Sequence, residues 1–308
     1  MTEDDGYIPF LTRFKAWWEG VEPHALIRAN QPERKAGAKD VVLDADQAAA
    51  AAGRRYGPTR LALVQRLWGA ECHMPGGAAR SLDLFLPTAL KDNAATCDLS
   101  AGLGGGTRLI HAKLGLWVDA FEADHELAEQ AQEFSNRLGL ARRAPIRTYD
   151  EAMLDFSGKV YDGFLLREVL FHFPAIRAAL DTINAALKSG GHVVFTDFAF
   201  ATDAKRDEPV AREWVEKDPM AVSPFSLKQY KQTLENLGWE TRIFEDDTDH
   251  YRKMVLAGWA NLLGGIDKAE LTRGFVDAML QEAEIWLTRM KAMDAGALKM
   301  LRVHAIKP

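Results

Sequence analysis

The chain has 308 residues, 47% hydrophobic and 27% charged, with a formal net charge of −6. That length fits one large domain or one domain with additions, and the acid excess argues against a nucleic-acid-binding protein, which would show a basic face. The two cysteines, Cys72 and Cys97, form neither a disulfide framework nor a metal-type spacing. The acidic start Thr2-Glu3-Asp4-Asp5 is unlike a signal peptide, and no run of about 18 apolar residues would span a membrane, so a cytoplasmic location without a metal site is expected.

In chain order, Ile8, Leu11, Phe14, Trp17 and Trp18 predict an amphipathic helix within 7–30, followed by a charged loop over 31–45. An alanine-rich helix over 46–52 ends at Gly53. Pro58 opens the next helix, which runs to Trp68. Gly76-Gly77 interrupt it, and another helix spans 78–86. From about residue 94, strand and helix alternate. Strands are predicted over 94–99, 116–121, 145–149, 160–166 and 192–196, with helices over 107–114, 124–138 and 175–187. Asp124 is suited to cap its helix, and Gly139 to end it. Residues 201–225, with Pro209, Pro219 and Pro224, read as irregular. A helix over 226–237 leads to a strand over 240–244. Helical stretches at about 248–263 and 268–293 then precede a last strand over 298–306.

These units predict an α/β fold: a Rossmann-like, doubly wound, mostly parallel seven-stranded sheet with an antiparallel last strand. It carries an N-terminal helical extension and a helical insertion before that last strand.

The chemistry begins where the first strand ends. Asp98 is followed by Gly102, Gly104, Gly105 and Gly106, a loop that lets backbone approach a ligand closely. A dinucleotide fold would turn such glycines toward a pyrophosphate, which the Asp98 carboxylate would repel. The acid suits an ammonium group, such as the methionine end of S-adenosylmethionine. Glu122 closes the second strand, and its two oxygens can accept from both ribose hydroxyls. Asp150 follows the third strand, near where an adenine amine would lie, and Phe156 is a candidate cover for the adenine face.

From Asp98 to about Asp197 the chain resembles the class I S-adenosylmethionine-dependent methyltransferases. The likeness is carried in order by the loop 98–106, by Glu122-Ala123-Asp124, and by Thr148-Tyr149-Asp150 with Met153-Leu154-Asp155-Phe156. It continues through Tyr161-Asp162-Gly163-Phe164 to His172-Phe173, and then the run 187–197. The ending Ala305-Ile306-Lys307-Pro308 is also family-like. Ser100 stands where the family usually has glycine. The family's Asn-Pro-Pro-Tyr motif of nucleic-acid amine methylation is absent, since 167–174 reads Arg-Glu-Val-Leu-Phe-His-Phe-Pro. Leu67-Trp68-Gly69, His73 before Gly76-Gly77, and the helical insertion are similar to small-molecule enzymes acting on phosphoethanolamine, sarcosine/dimethylglycine or sterols.

The resemblance implies a soluble enzyme that moves a methyl group to a small molecule by in-line displacement, leaving S-adenosylhomocysteine. An amine nitrogen is the favoured acceptor, with oxygen or carbon open. Cofactor contacts fall to Asp98, Ser100, Ala101, Gly102 and Gly104 in the loop, to Glu122 and Ala123, to Asp150, Glu151 and Phe156, and to Arg167. Arg167 and Glu168 end the fourth strand, where open α/β sheets bind ligands; the alternative is that they pair with each other. A hydroxyl acceptor would need a general base, and Glu168, His172 and His73 are the candidates. Tyr56, Trp68, His73, Arg167 and His172 are candidates for the substrate pocket. Residues 1–90 read as a helical lid and substrate-binding region. Residues 91–308 read as the methyltransferase domain, with cap segments at about 201–225 and 247–296. The C-terminal helices suit either a substrate cap or a homodimer surface. Two other classes stay open: a catalytically silent scaffold with this fold, and a NAD(P)-dependent oxidoreductase.

Overall fold

Seven strands form one sheet in the computed structural model, which describes residues 45–308. The helix expected within 7–30 lies outside the described residues. Three helices come first: α1 (Ala45–Ala51), α2 (Pro58–Trp68) and α3 (Gly77–Phe85). Alternation then begins with β1 (Ala95–Asp98), α4 (Gly105–Leu114), β2 (Trp117–Glu122), α5 (His125–Arg137), β3 (Ile146–Thr148), β4 (Tyr161–Arg167), α6 (Ile176–Ala186) and β5 (Leu187–Phe200). It closes with α7 (Pro209–Lys217), α8 (Leu227–Asn236), β6 (Glu240–Asp246), α9 (Thr248–Gly265), α10 (Arg273–Asp294) and β7 (Leu298–Ile306).

The sheet order is β3-β2-β1-β4-β5-β7-β6, with β1 to β5 parallel and β7 antiparallel to both neighbours. The expected Rossmann-like class and the antiparallel last strand are therefore observed. The order reverses between β1 and β4, and at such a switch point the loops after both strands diverge and leave a crevice.

Local chemistry explains most boundaries. Asp124 caps α5 by accepting from Glu126 N and Leu127 N, and Ser226 with Gln229 forms a capping box on α8. Two expectations need correction. The stretch 201–225 is not wholly irregular, because Pro209 sits at the first turn of α7, where a missing N–H costs nothing. That helix buries Ala211 and Trp214. Strand β5 is also longer than 192–196. It starts at Leu187, opposite Tyr161, and absorbs Gly190 at φ +73° as an irregularity.

The helical additions are fused to the domain by a shared apolar core. Leu63, Val64, Phe198, Trp214, Tyr251, Met279 and Trp286 belong to one buried cluster. At about 25 cal/mol per Å² of apolar area, side chains of this size bind the additions firmly to the sheet. Among the described residues, no helix is long and apolar enough to cross a membrane.

Candidate active site

The carboxyl ends of β1, β2 and β4 open into a cavity, and a smaller pocket adjoins it. The two share His73, Met74, Ser100 and Arg167.

The small pocket is built on the glycine loop. Asp98 is buried, its Oδ1 accepting from the Ser100 amide and hydroxyl, both at 2.9 Å, and its Oδ2 from Thr107 Oγ1 at 2.8 Å. Burial pushes this carboxyl up, against the donors from Thr107 and Ser100 and the nearby Arg167 charge. Ser100 does more than tolerate its place. Its Oγ also accepts from the Arg167 amide at 2.9 Å, which stitches the β1 loop to the end of β4. Gly102 and Gly104 adopt φ of +52° and +82°. A Cβ at Gly102 would run into the His73 ring, so the loop needs glycine there for space as well as conformation.

Arg167 is 4% exposed. It does not pair with Glu168. Its Nη1 donates to Gly77 O and Ser81 Oγ, both at 2.8 Å, and its Nη2 to Pro75 O at 2.7 Å. Its Nε is buried without a partner. The small pocket thus sets an acid, Asp98, near a guanidinium whose Nε has no partner. That combination fits the ammonium and carboxylate of an amino-acid end.

Glu122 leads into the large cavity. Its Oε2 accepts from Gly102 N at 2.8 Å and its Oε1 from Asp124 N at 2.9 Å. Burial nevertheless pushes it up to about 7, outweighing both amides and the Arg55 charge. Each oxygen keeps a lone pair for a ribose hydroxyl. Ala123, Tyr149 and Glu151 line the same wall. Glu151 Oε1 is buried and unpartnered, a second acceptor a ligand can use.

The opposite wall comes from the additions. Tyr56, from the turn before α2, is flanked by the Arg55 and Arg60 guanidinium groups at 5.2 and 5.0 Å from its ring centre. Arg60 pairs with Glu282 of α10 at 2.8 Å, and Arg289 of α10 with Asp218 at 2.8 Å. Arg55 has no carboxylate within ion-pair distance among the described residues; its Nη1 meets Met220 Sδ at 2.6 Å and its Nε is buried unpartnered. Glu168 lines the cavity from a left-handed backbone, φ +55°, at the tip of β4. Non-glycine residues held there cost about 1–3 kcal/mol and cluster at functional sites. His172 faces the Ala221 carbonyl through Nδ1 at 3.1 Å, which makes Nδ1 the protonated nitrogen and leaves the Nε2 lone pair free. Burial holds His172 down at about 4 and His73 at about 3, with Arg55 adding to both, so both rings are neutral near pH 7.

Three sequence candidates lie elsewhere. Asp150 is exposed, with Oδ1 accepting from Ala152 N in a local turn. Phe156 is buried in the core against Phe121, Tyr161 and Phe164, since the turn after β3 directs it under the sheet edge. Trp68 is 5% exposed and packs edge-on against Trp286 at 5.1 Å, behind the cavity wall. Tyr149 stands at the wall where Phe156 was expected.

A model of the family described as "Methyltransferase domain" matches residues 71–242. The chain belongs to this family. It is a class I S-adenosylmethionine-dependent methyltransferase. The chain is also 30% identical over 215 residues to a sarcosine/dimethylglycine N-methyltransferase of Aphanothece halophytica, covering 66% of this chain and 73% of that protein. Its fold is similar to phosphoethanolamine N-methyltransferase 2 of Haemonchus contortus bound to S-adenosyl-L-methionine. That match has TM-score 0.72 at 17% identity and covers 87% of this chain and 60% of that one. The same nematode enzyme with phosphomonomethylethanolamine and S-adenosylhomocysteine gives TM-score 0.70 at 17% identity, over 87% and 61%. This chain therefore spans about 60% of the nematode enzyme's length. The comparisons support neither the scaffold nor the oxidoreductase alternative.

The sequence singles out the residues of the small pocket and of the β2 end, but few of those on the opposite wall. Arg55, Arg60, Tyr251, Glu282 and Arg289 were not singled out. One signal was available on α10. Glu282, Trp286 and Arg289 follow i, i+4, i+7 spacing, so charged residues share the stripe that also carries a buried tryptophan.

Proposed function

We propose that this methyltransferase transfers methyl groups to the nitrogen of a small amine that also carries an acidic group. One observation carries the reading. Among the described residues, the cavity presents Glu168, an acid with no ion pair, together with Arg55, a guanidinium with no carboxylate partner. An amine with an acidic tail complements both. The named acceptors of the relatives, sarcosine, dimethylglycine and phosphoethanolamine, have this character.

S-adenosylmethionine, when bound, supplies a sulfonium-activated methyl group. Asp98 and Arg167 hold its amino-acid end, and Glu122 takes the ribose hydroxyls. Glu168 attracts the cationic nitrogen of the acceptor, the proton that must leave before that nitrogen can attack passes to solvent, and the neutral His172 Nε2 accepts a hydrogen bond from the resulting amine. Arg55 holds the acidic tail. Positioning of this kind is worth about 7–11 kcal/mol in favourable cases, so little further catalysis is required. Met220, Glu282, Trp286 and Arg289 line the cavity, which supports reading 201–225 and 247–296 as a substrate cap over a dimer surface.

The test is turnover of sarcosine, dimethylglycine and phosphoethanolamine with S-adenosylmethionine, followed as S-adenosylhomocysteine release. R55M should lower kcat/KM for these acidic amines about thirtyfold and weaken S-adenosylhomocysteine binding far less, through the lost Arg55 charge near Glu122. Preferred turnover of an uncharged amine, or of a hydroxyl acceptor, would overturn the reading.

A further inference from the structure

The cavity acid at the tip of β4 is held by a residue more than eighty positions away. Tyr251 Oη donates to Glu168 Oε2 at 2.6 Å, the one hydrogen bond that carboxylate makes among the described residues. Tyr251 lies in α9, within the insertion between β6 and β7, and is 2% exposed. Its ring is fixed edge-on to Phe198 at 5.7 Å and tilted on Trp286 at 6.2 Å, so the hydroxyl has one place to be. The Glu168 amide donates to Thr196 O at 2.7 Å, which pins the backbone of the same residue to β5.

The charged groups around Glu168 are committed elsewhere. Arg80 of α3 pairs with Asp247, Arg289 of α10 pairs with Asp218, and the two Nη atoms of Arg167 of β4 donate to Pro75, Gly77 and Ser81. Asp197 of β5 accepts from Tyr230 and adds only like charge. Among the described residues, no arginine forms an ion pair with Glu168. Its charge is supported through space by Arg167, Arg289 and Arg80 and by direct contact with one neutral phenol, and the carboxylate stays available to a ligand cation.

We propose that Tyr251 is a positioning residue for the acceptor. By holding Oε2 it turns Oε1 of Glu168 toward the cationic nitrogen, and it keeps the carboxylate ionised. The proposal rests on the amine reading above. Burial raises the Glu168 carboxyl, while Arg167 and the Tyr251 hydrogen bond pull it down. Removing the phenol therefore raises it further, and the ionised form is reached only at higher pH.

The experiment compares Y251F, E168Q and the double variant with the wild type. Y251F keeps the packed ring and should raise KM for the acceptor amine about tenfold. It should leave S-adenosylhomocysteine affinity within twofold and move the acidic limb of kcat/KM to higher pH. E168Q should abolish that limb, and Y251F/E168Q should be no worse than E168Q alone, because the phenol acts through the carboxylate. An unmoved acidic limb in Y251F, a limb that survives in E168Q, or additive losses in the double variant would each overturn the proposal. If Y251F does not fold, the E168Q limb decides. A wild-type enzyme that methylates no amine defeats the amine reading and this proposal with it. A wild type active on amines and matched by Y251F defeats this proposal alone.

Discussion

The two ends of the active site are built on opposite plans. At the cofactor end, acids are satisfied by backbone amides and hydroxyls close by in sequence. Asp98 is held from Ser100 and Thr107, and Glu122 from Gly102 and Asp124. At the acceptor end, side chains hold side chains across long loops, as in Arg60–Glu282, Arg289–Asp218 and Tyr251–Glu168. The first plan lies within residues 98–124, one strand-helix-strand unit. The second belongs to this chain's additions and, on the proposed reading, is where acceptor choice is set.

The largest test of this division is at Arg289. Its partner Asp218 has a fully buried side chain, so R289M strands a charge. The expected loss is about 3–5 kcal/mol, which for a domain of this size lowers the melting temperature by roughly 6–15 °C in calorimetry. R289M/D218L should recover most of that loss. If R289M instead melted like the wild type, the cap would not depend on its ion pairs.

Next in size, D98N should weaken S-adenosylhomocysteine binding about 100-fold by calorimetric titration, because an amide nitrogen would face donors the carboxylate now accepts. Acceptor KM should hardly change. Equal damage to both substrates would erase the distinction between the two ends.

The smallest effect is in pH. Glu122 sits at about 7 in the folded chain, above its ordinary 4.5. Its contribution to the unliganded fold is therefore full below 4.5 and is lost as pH rises through 7. Ribose hydroxyls donate to the ionised form, so ligand binding relieves that loss. S-adenosylhomocysteine affinity should rise about tenfold from pH 5.5 to pH 8 in titrations. A flat profile would mean the ribose is not held by Glu122.

The same division explains what the sequence made legible. The strand order, the glycine loop and Glu122 follow from short-range patterns: apolar runs, turn residues and an acid at a strand end. Asp150 and Phe156 were misplaced because the turn after β3 is set by its own contacts, Asp150 to Ala152 and Phe156 into the core, which spacing does not report. Trp68 was expected in the pocket, but helix α2 buries it against α10. Arg55 and Tyr251 gain their roles only when α2, α9 and α10 meet over the sheet, and no local motif announces that meeting.

Ser100 has one further consequence. A loop that usually takes its shape from a missing side chain is here braced by a present one, between Asp98 and the Arg167 amide. Serine has fewer backbone conformations than glycine in the unfolded chain, and its hydroxyl ties the folded loop at two points. The ordering entropy of the loop is met during folding and not at each encounter with cofactor. Cofactor binding to this loop should therefore resemble entry into a rigid seat, with little change in the backbone it meets.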